Sequence, residues 1–235
     1  MGGGVYIYRG SFMMHGGEIV DNTASSISRV NVGSDANSDG GGVYIDRGSF
    51  TMYGGKIIGN TATSTTNNGN NSGISSSEGG GVYNVAGSFT MYDGEIISNT
   101  ATAMSSGSSH NNNAVSRGGG VFGTFGDNFT MLGGLITDNT ASTTALGPHD
   151  GPRGGGVNSN LVKTGGTITG YSSDTVAGNK LIKNGIISSD GPFSSGYSVY
   201  HSSSRYRDTT AGPTDNINTA TGQGLSADGQ PPFRE

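Results

Sequence analysis

Residues 40–62 read GGGVYIDRGSFTMYGGKIIGNTA, and close copies of this stretch recur along the chain. The glycine triad that opens the stretch begins at residues 2, 40, 79, 118 and 154. A period of this length, between about 20 and 50 residues, is typical of solenoids, propellers and other repeat arrays. Within each repeat, three short segments of alternating side chains are separated by glycines, which predicts three strands per turn. The pattern therefore indicates a β-solenoid rather than a propeller with four-stranded blades.

The composition excludes several other classes of protein. Glycine supplies 45 of the 235 residues, a content that would destabilise an ordinary helical bundle. The chain has no cysteine, which excludes disulfide scaffolds, zinc fingers and thiol catalysis. A net charge of −5 without a basic cluster argues against a nucleic-acid partner. No apolar run approaches the length of a transmembrane helix.

Residues one period apart should touch, because neighbouring parallel strands lie about 4.8 Å apart. This spacing predicts four apolar columns in the interior, led by Val5, Phe12, Met14 and Ile19. Their later members are Val43, Val82, Val121 and Val157; Phe50, Phe89 and Phe129; Met52, Met91 and Met131; and Ile57, Ile96, Ile136 and Ile168. A corner column of asparagines, Asn22, Asn60, Asn99 and Asn139, is predicted to form a ladder of stacked side-chain amides.

The repeats divide the chain into three parts. Residues 1–170 are predicted to form the β-helix, residues 171–220 a last coil with an irregular C-terminal cap, and residues 221–235 a flexible tail. This gives five to six coils. The polar stretches 25–39, 63–78, 102–117 and 142–153 differ from one another and are expected to be loops on one side of the solenoid.

Two columns of side chains on the outer surface are candidates for a contact site. One contains Tyr6, Tyr44, Tyr83 and Phe122, and the other contains His15, Tyr53, Tyr92 and Leu132. Aromatic pairs stabilise neighbouring strands on their own, so a purely structural role accounts for both columns. The alternative is a flat surface for sugar rings or for a neighbouring fibre.

No catalytic, cofactor or metal site emerges from the sequence. The four histidines occupy unrelated positions in the repeat, and the acidic positions do not recur from turn to turn. The Thr-Ala-Thr segments at 61–63 and 100–102 and the Thr-Ile-Thr segment at 167–169 are similar to the threonine arrays of ice-binding β-solenoids, but we do not expect them to align into one flat face across every coil.

The repeats, as at residues 40–62, resemble the right-handed parallel β-helix repeats of bacterial surface proteins. These proteins are pectin-lyase-like in fold and similar to autotransporter and adhesin passengers. The resemblance covers residues 2–170 and implies an all-β, right-handed parallel β-helix located outside the cell or at the bacterial surface. It transfers no catalytic residue, because the same scaffold carries adhesins, lyases and inert spacers.

The expected function is therefore structural or adhesive and non-enzymatic, without a cofactor. The alternatives are a polysaccharide-active, lyase-like enzyme and a protein that binds carbohydrate or ice. The expected partners are a surface glycan, a host protein or the protein itself.

Self-assembly is expected because the first repeat begins directly after Met1, which exposes one edge of a coil. Either more coils precede it, or a second subunit covers it. In the second case two C-terminal strands, one with Tyr197, Val199 and Tyr200 and one at residues 205–208, would contact the first coil of the next subunit and give a head-to-tail filament. The residues of that coil at the contact are Val5, Phe12, Met14 and Ile19.

Overall fold

The computed structural model of the chain describes residues 2–28, 34–69, 73–107, 113–124, 128–145, 151–169, 178–184, 186–187, 197–201 and 204–207. These residues contain strands, turns and bends and no helix.

The strands occur in the same order on each turn. The first turn contains β1 (Val5–Tyr8), β2 (Ser11–Met14), β3 (Glu18–Val20), β4 (Thr23–Ser28) and β5 (Ala36–Asp39). The second contains β6 (Val43–Asp46), β7 (Ser49–Met52), β8 (Lys56–Ile58), β9 (Thr61–Gly69) and β10 (Ile74–Glu78). The third contains β11 (Val82–Val85), β12 (Ser88–Met91), β13 (Glu95–Ile97), β14 (Thr100–Gly107) and β15 (Asn113–Arg117). The fourth contains β16 (Val121–Gly123), β17 (Asn128–Met131), β18 (Leu135–Thr137) and β19 (Thr140–Thr144).

Shorter strands come after these four regular turns. They are β20 (Val157–Asn158), β21 (Asn160–Lys163), β22 (Thr167–Ile168), β23 (Lys180–Lys183), β24 (Ile186–Ile187), β25 (Tyr197–His201) and β26 (Ser204–Arg207). The tail expected over residues 221–235 lies outside the described residues.

Equivalent strands of successive turns pair in parallel, so the predicted β-solenoid is confirmed. Sheet A consists of β1, β6, β11, β16, β20, β25 and β26, and sheet B of β2, β7, β12, β17 and β21. Sheet C consists of β3, β8, β13, β18 and β22; sheet D of β4, β9, β14, β19, β23 and β24; and sheet E of β5, β10 and β15. The register joins Val5 to Val43 and Phe12 to Phe50, so the predicted columns form as expected.

Sheets A, B and C enclose the apolar core. The four columns pack there as one cluster with Ile7 and Ile45, and the phenylalanine rings of Phe50, Phe89 and Phe129 stack at 4.7–4.9 Å. The side chains alternate between core and surface because successive residues of a β-strand point to opposite faces of its sheet. A small number of apolar residues per turn is therefore sufficient for a dry core.

The polar segments that were expected to be loops form strands over much of their length. In the second turn, for example, residues 61–69 and 74–78 belong to sheets D and E, which face one another as an arm beside the core. Small side chains fill the space between the two sheets, with Ala103, Ala114 and Ala145 in one cluster. Ser64 lies in the same space and bonds the Oγ atoms of Ser75 and Ser77 at 2.7 and 2.8 Å. The expectation of loops is wrong because serines and threonines give no apolar alternation in the sequence.

The glycine triads form the neck between the core and the arm. The first glycine of the second triad, Gly40, has φ of +62°, a conformation that favours glycine. The middle position requires glycine for a different reason. In the third triad, a Cβ on Gly80 would lie closer than 3.0 Å to the backbone of Gly119 and Thr100. The third, Gly81, lies against the amide of Asn99. Each glycine of the triad thus meets a separate steric demand.

Antiparallel strands occur at the C-terminal ends of sheets A and D. β24 pairs antiparallel with β23, and β26 pairs antiparallel with β25. β25 itself continues sheet A in parallel with β20. Of the last coil and cap expected over residues 171–220, the described part thus extends two sheets and then reverses direction.

Candidate functional site

The asparagine ladder forms as predicted and has a fifth member. Asn60 Nδ2 donates to Asn99 Oδ1 at 3.0 Å, and Asn99 Nδ2 donates to Asn139 Oδ1 at 3.0 Å. Asn22 begins the ladder, and Asn139 Nδ2 continues it to Asn179 Oδ1 at 2.9 Å. The side-chain oxygens also accept bonds from backbone N–H groups of the preceding turn. The Oδ1 atoms of Asn60, Asn99, Asn139 and Asn179 all accept bonds from the ladder, so its role is structural.

The outer column of His15, Tyr53, Tyr92 and Leu132 is a stack of side chains. The rings of His15 and Tyr53 are 4.8 Å apart and nearly parallel, as are those of Tyr53 and Tyr92 at 4.9 Å. Tyr53 therefore has a ring against each face, although it is 42% exposed. A sugar ring stacks on an aromatic face, and this column offers mainly ring edges to solvent. The geometry favours the structural role.

The other outer column becomes progressively buried along the solenoid. Tyr6 is 50% exposed, whereas Tyr83 and Phe122 are 8% and 7% exposed. Arg117 contributes to this burial, because its guanidinium lies 6.0 Å from the centre of the Phe122 ring. Only the beginning of this column is accessible to a ligand.

A ladder of charged residues lies on the outer face of sheet E beside this column. The register brings together Asp39, Glu78, Arg117 and Arg153 on successive turns. Glu78 and Arg117 form a partly buried ion pair. This ladder was not predicted from the sequence, although each of its members immediately precedes a glycine triad.

The two carboxyl groups of the ladder influence their surroundings. Burial and the neighbouring Glu78 carboxylate raise the pKa of Asp39 to about 6. Burial, followed by the charge of Asp39, raises the pKa of Tyr44 to about 12, so Tyr44 is a neutral hydroxyl at physiological pH. Glu78 is meanwhile compensated by Arg117.

A second cluster of charged residues surrounds Tyr8, at the corner between sheets A and B. The guanidinium carbons of Arg9 and Arg47 lie 5.0 and 5.6 Å from the centre of the Tyr8 ring. Asp46 accepts a 2.8 Å bond from Arg47 Nε and lies 3.5 Å from the Tyr6 hydroxyl. Neither Tyr8 nor the arginines were predicted from the sequence. The segments Tyr-Ile-Tyr-Arg at 6–9 and Tyr-Ile-Asp-Arg at 44–47 were the available signal.

One column of threonines in sheet D aligns across four turns, but the threonines do not form one face across every coil, as expected, because Thr167 pairs with Leu135 in sheet C and Lys180 continues the column in sheet D. The register joins Thr23, Thr61, Thr100 and Thr140 in one column. Ser25, Thr63, Thr102 and Ser142 form a second column two residues further along the strands.

A shallow depression between sheets B and C contains charged residues of another kind. Lys56 Nζ lies 2.9 Å from Glu95 Oε2, and Asp93 and Gly94 line the same depression. The bond to Glu95 raises the pKa of Lys56. Within the described residues, no group of three or more His, Cys, Asp or Glu side chains is arranged to hold a metal ion.

The residues expected at an end-to-end interface differ in burial and in strand pairing. Val5, Phe12 and Ile19 are partly buried against the core, and Met14 is 5% exposed. β25, the strand that contains Tyr197, Val199 and Tyr200, pairs with β20 and β26 of its own chain. The expected head-to-tail contact with the first coil of a second copy stays a prediction, and β26 is the strand at this edge of sheet A.

Comparison with protein-family models, curated proteins and solved structures finds no match for this chain. The parallel β-solenoid is shown by the strand pairing, while the likeness to pectin-lyase-like and autotransporter repeats stays a prediction. The described residues include no helix that is long and apolar enough to cross a membrane.

Proposed function

We propose that the protein is a non-enzymatic structural and adhesive module, located outside the cell or at a bacterial cell surface. The location is supported by the resemblance of the repeats to those of bacterial surface proteins. The partners that fit this role are a surface glycan or a host protein.

The observation that carries the proposal is the uninterrupted repetition of structural groups along the solenoid. The asparagine ladder links Asn22 to Asn179 through buried hydrogen bonds, and the phenylalanine and methionine columns keep their register beside it. Such a stack presents outward side chains at a fixed spacing of about 4.8 Å per turn. A surface of this kind suits several weak contacts with a repeating polymer, which together produce firm attachment.

Adhesion and catalysis can be tested on the same preparation. Beads coated with the full chain should retain host cells or glycan-coated particles under flow, whereas beads coated with albumin should not. Incubation with uronate and neutral polysaccharides, with and without calcium, should release neither unsaturated sugars nor new reducing ends. Release of either product would support the lyase-like alternative and overturn the proposal. A Glu78→Gln variant would then show whether the charged ladder of sheet E is responsible.

The threonine columns of sheet D favour a second candidate function, which is binding to ice or another ordered surface. Their hydroxyls repeat in two directions on one sheet, as a lattice requires. Replacing Thr63 and Thr102 by lysine should then abolish any effect of the protein on ice growth. Replacing Thr51 and Thr90 by lysine is the matched control, because these threonines occupy adjacent turns on the outer face of sheet B. Unaltered ice growth with the wild-type protein would eliminate this candidate.

A further inference from the structure

The cluster at the corner between sheets A and B places two arginines on one tyrosine. Arg9 and Arg47 occupy the same position on adjacent turns, and the guanidinium groups of both lie within 6 Å of the Tyr8 ring centre. Both side chains are exposed, and Tyr6 and Tyr8 are each 50% exposed. These groups are accessible together on one surface.

The fold does not require arginine at this corner. Arg9, Arg47 and Ala86 occupy equivalent positions, with φ of 52°, 56° and 54°. Positive φ is unfavourable for any residue with a Cβ, and arginine gives the backbone no advantage there over alanine. The third turn has Val85 and Ala86 where the first has Tyr8 and Arg9, and it keeps the same strands. The arginine side chains therefore call for an explanation other than the backbone.

The charges of the cluster are unequal. Asp46 pairs with Arg47, and this bond lowers the pKa of the Asp46 carboxyl. Within the described residues, no carboxylate lies at ion-pair distance from Arg9. Two guanidinium groups on adjacent turns with one carboxylate between them leave an excess positive charge, which favours an incoming anion.

The two tyrosines indicate what kind of molecule carries that anion. The rings of Tyr6 and Tyr8 are 6.4 Å apart and inclined by 13°, so they form a short, nearly parallel pair on the surface. The pair is more open than the column around Tyr53, which has rings at 4.8 and 4.9 Å against both faces. Exposed rings of this kind pack against the apolar faces of sugars, while planar guanidinium groups bind carboxylates and sulfates through paired hydrogen bonds. An acidic peptide would engage the arginines but has no regular need for the ring pair.

We propose that Tyr6, Tyr8, Arg9 and Arg47 form a binding site for an acidic polysaccharide, with its carboxylate or sulfate group at the arginines and a sugar ring against the tyrosines. This inference rests on the proposed adhesive function and names the class of ligand. The site binds without cleaving, and it is confined to the first two turns because the third has valine and alanine there.

The test compares the binding of the full chain to heparin, alginate, neutral dextran and polyglutamate at low and high salt. The wild-type protein should bind heparin or alginate more tightly than dextran or polyglutamate, and added salt should weaken the binding. The variant Tyr8→Val/Arg9→Ala copies the natural Val85–Ala86 pair, and Arg9→Ala/Arg47→Ala removes both guanidinium groups. Each should lower the affinity for the acidic polysaccharide about tenfold or more, the loss expected when a charge-assisted contact is removed.

The control is Lys56→Ala/Lys180→Ala, which also removes two positive charges but from sheets C and D. It should bind like the wild type, and circular dichroism should show all variants folded. Equal losses in the control and in Arg9→Ala/Arg47→Ala would reduce the effect to net charge and overturn the proposal. Equal affinity for polyglutamate and the acidic polysaccharide would also overturn it. If beads coated with Arg9→Ala/Arg47→Ala retain cells as the wild type does, this site fails while the adhesive function stands.

Discussion

At the scale of single residues, a few buried polar groups inside the solenoid contribute strongly to the stability of the fold. Asn99 is fully buried and donates to Asn139 Oδ1 and to the Ile57 carbonyl oxygen. Its own Oδ1 accepts bonds from the backbone and side-chain nitrogens of Asn60. A buried group that loses its partner carries the full desolvation cost, so one asparagine holds several others in place.

Replacing Asn99 by alanine should therefore lower the free energy of unfolding by about 2–4 kcal/mol, because it leaves buried polar groups on both neighbouring turns without a hydrogen-bond partner. Urea unfolding followed by circular dichroism measures the change. Asn37→Ala is the control, since Asn37 is exposed on β5 and should alter the stability little. Equal effects of the two substitutions would contradict a structural ladder.

Asp39 gives the fold a dependence on pH. Its pKa is raised from 3.8 to about 6, so the folded protein holds a proton that the unfolded chain has already released in this range. Asp39 therefore favours folding most below pH 4, and this contribution is lost as the pH rises through about 6. Asp39→Asn should raise the free energy of unfolding at pH 7 by about 1–3 kcal/mol relative to the wild type.

The gain from Asp39→Asn should disappear near pH 4, where the wild-type carboxyl is protonated and resembles the amide. Unfolding by urea at both pH values provides the comparison. Glu18→Gln, on the exposed surface of β3, is the control for the loss of one negative charge. A gain that is the same at both pH values would argue against the raised pKa as its cause.

At the scale of elements, the neck between core and arm sets the strictest requirement on the backbone. The middle glycine of each triad crosses the start of sheet D, where the backbones of two strands approach one another. In the third turn, Gly80 faces the carbonyl groups of Gly119 and Thr100. This close approach aligns sheets D and E with the core on every turn.

Gly80→Ala should destabilise the protein by about 3 kcal/mol or more, because the added methyl group overlaps with backbone atoms that cannot move independently. Gly16→Ala is the matched control, since a Cβ there meets no atom within 4 Å. Neither glycine has a positive φ, so the comparison isolates the steric effect. Thermal unfolding of both variants provides the measurement, and similar midpoints would exclude a crowded neck.

At the scale of the whole molecule, the solenoid has stacked parallel sheets whose edges would recruit further strands if left open. Among the described strands, β24 and β26 run antiparallel to their neighbours at one end of sheets D and A. An antiparallel strand at the edge interrupts the parallel stacking of the turns. We infer that these strands limit growth of the stack at this end.

A chain ending at residue 203 lacks β26 and leaves the outer edge of β25 without this partner. It should associate as its concentration rises, which sedimentation velocity would detect. A chain ending at residue 207 is the control, because it keeps β26 and loses only residues 208–235. If the two truncated chains sediment alike at every concentration, β26 does not protect the edge.

The sequence by itself determined the solenoid core. A nearly constant period of 36–39 residues pairs Val5 with Val43 and Phe12 with Phe50, and alternation separates core from surface, so both can be inferred without coordinates. The Asn22–Asn139 ladder can be inferred from the same period. Asn179 keeps the 40-residue distance from Asn139, but it lies eleven residues after its core isoleucine, Ile168, where the earlier asparagines lie three residues after theirs, so the local motif does not reveal it.

Only the tertiary structure decided the arm, the neck and the clusters of charge. Serines and threonines carry no apolar signal in the sequence. Ser64 and Ser77 form strands in which their hydroxyl groups bond to one another across the two facing sheets. The middle glycine of the triad responds to a neighbouring backbone that lies about 20 residues away in the sequence. The cluster around Tyr8 likewise depends on the stacking of two turns, since a single repeat contains only one of its arginines.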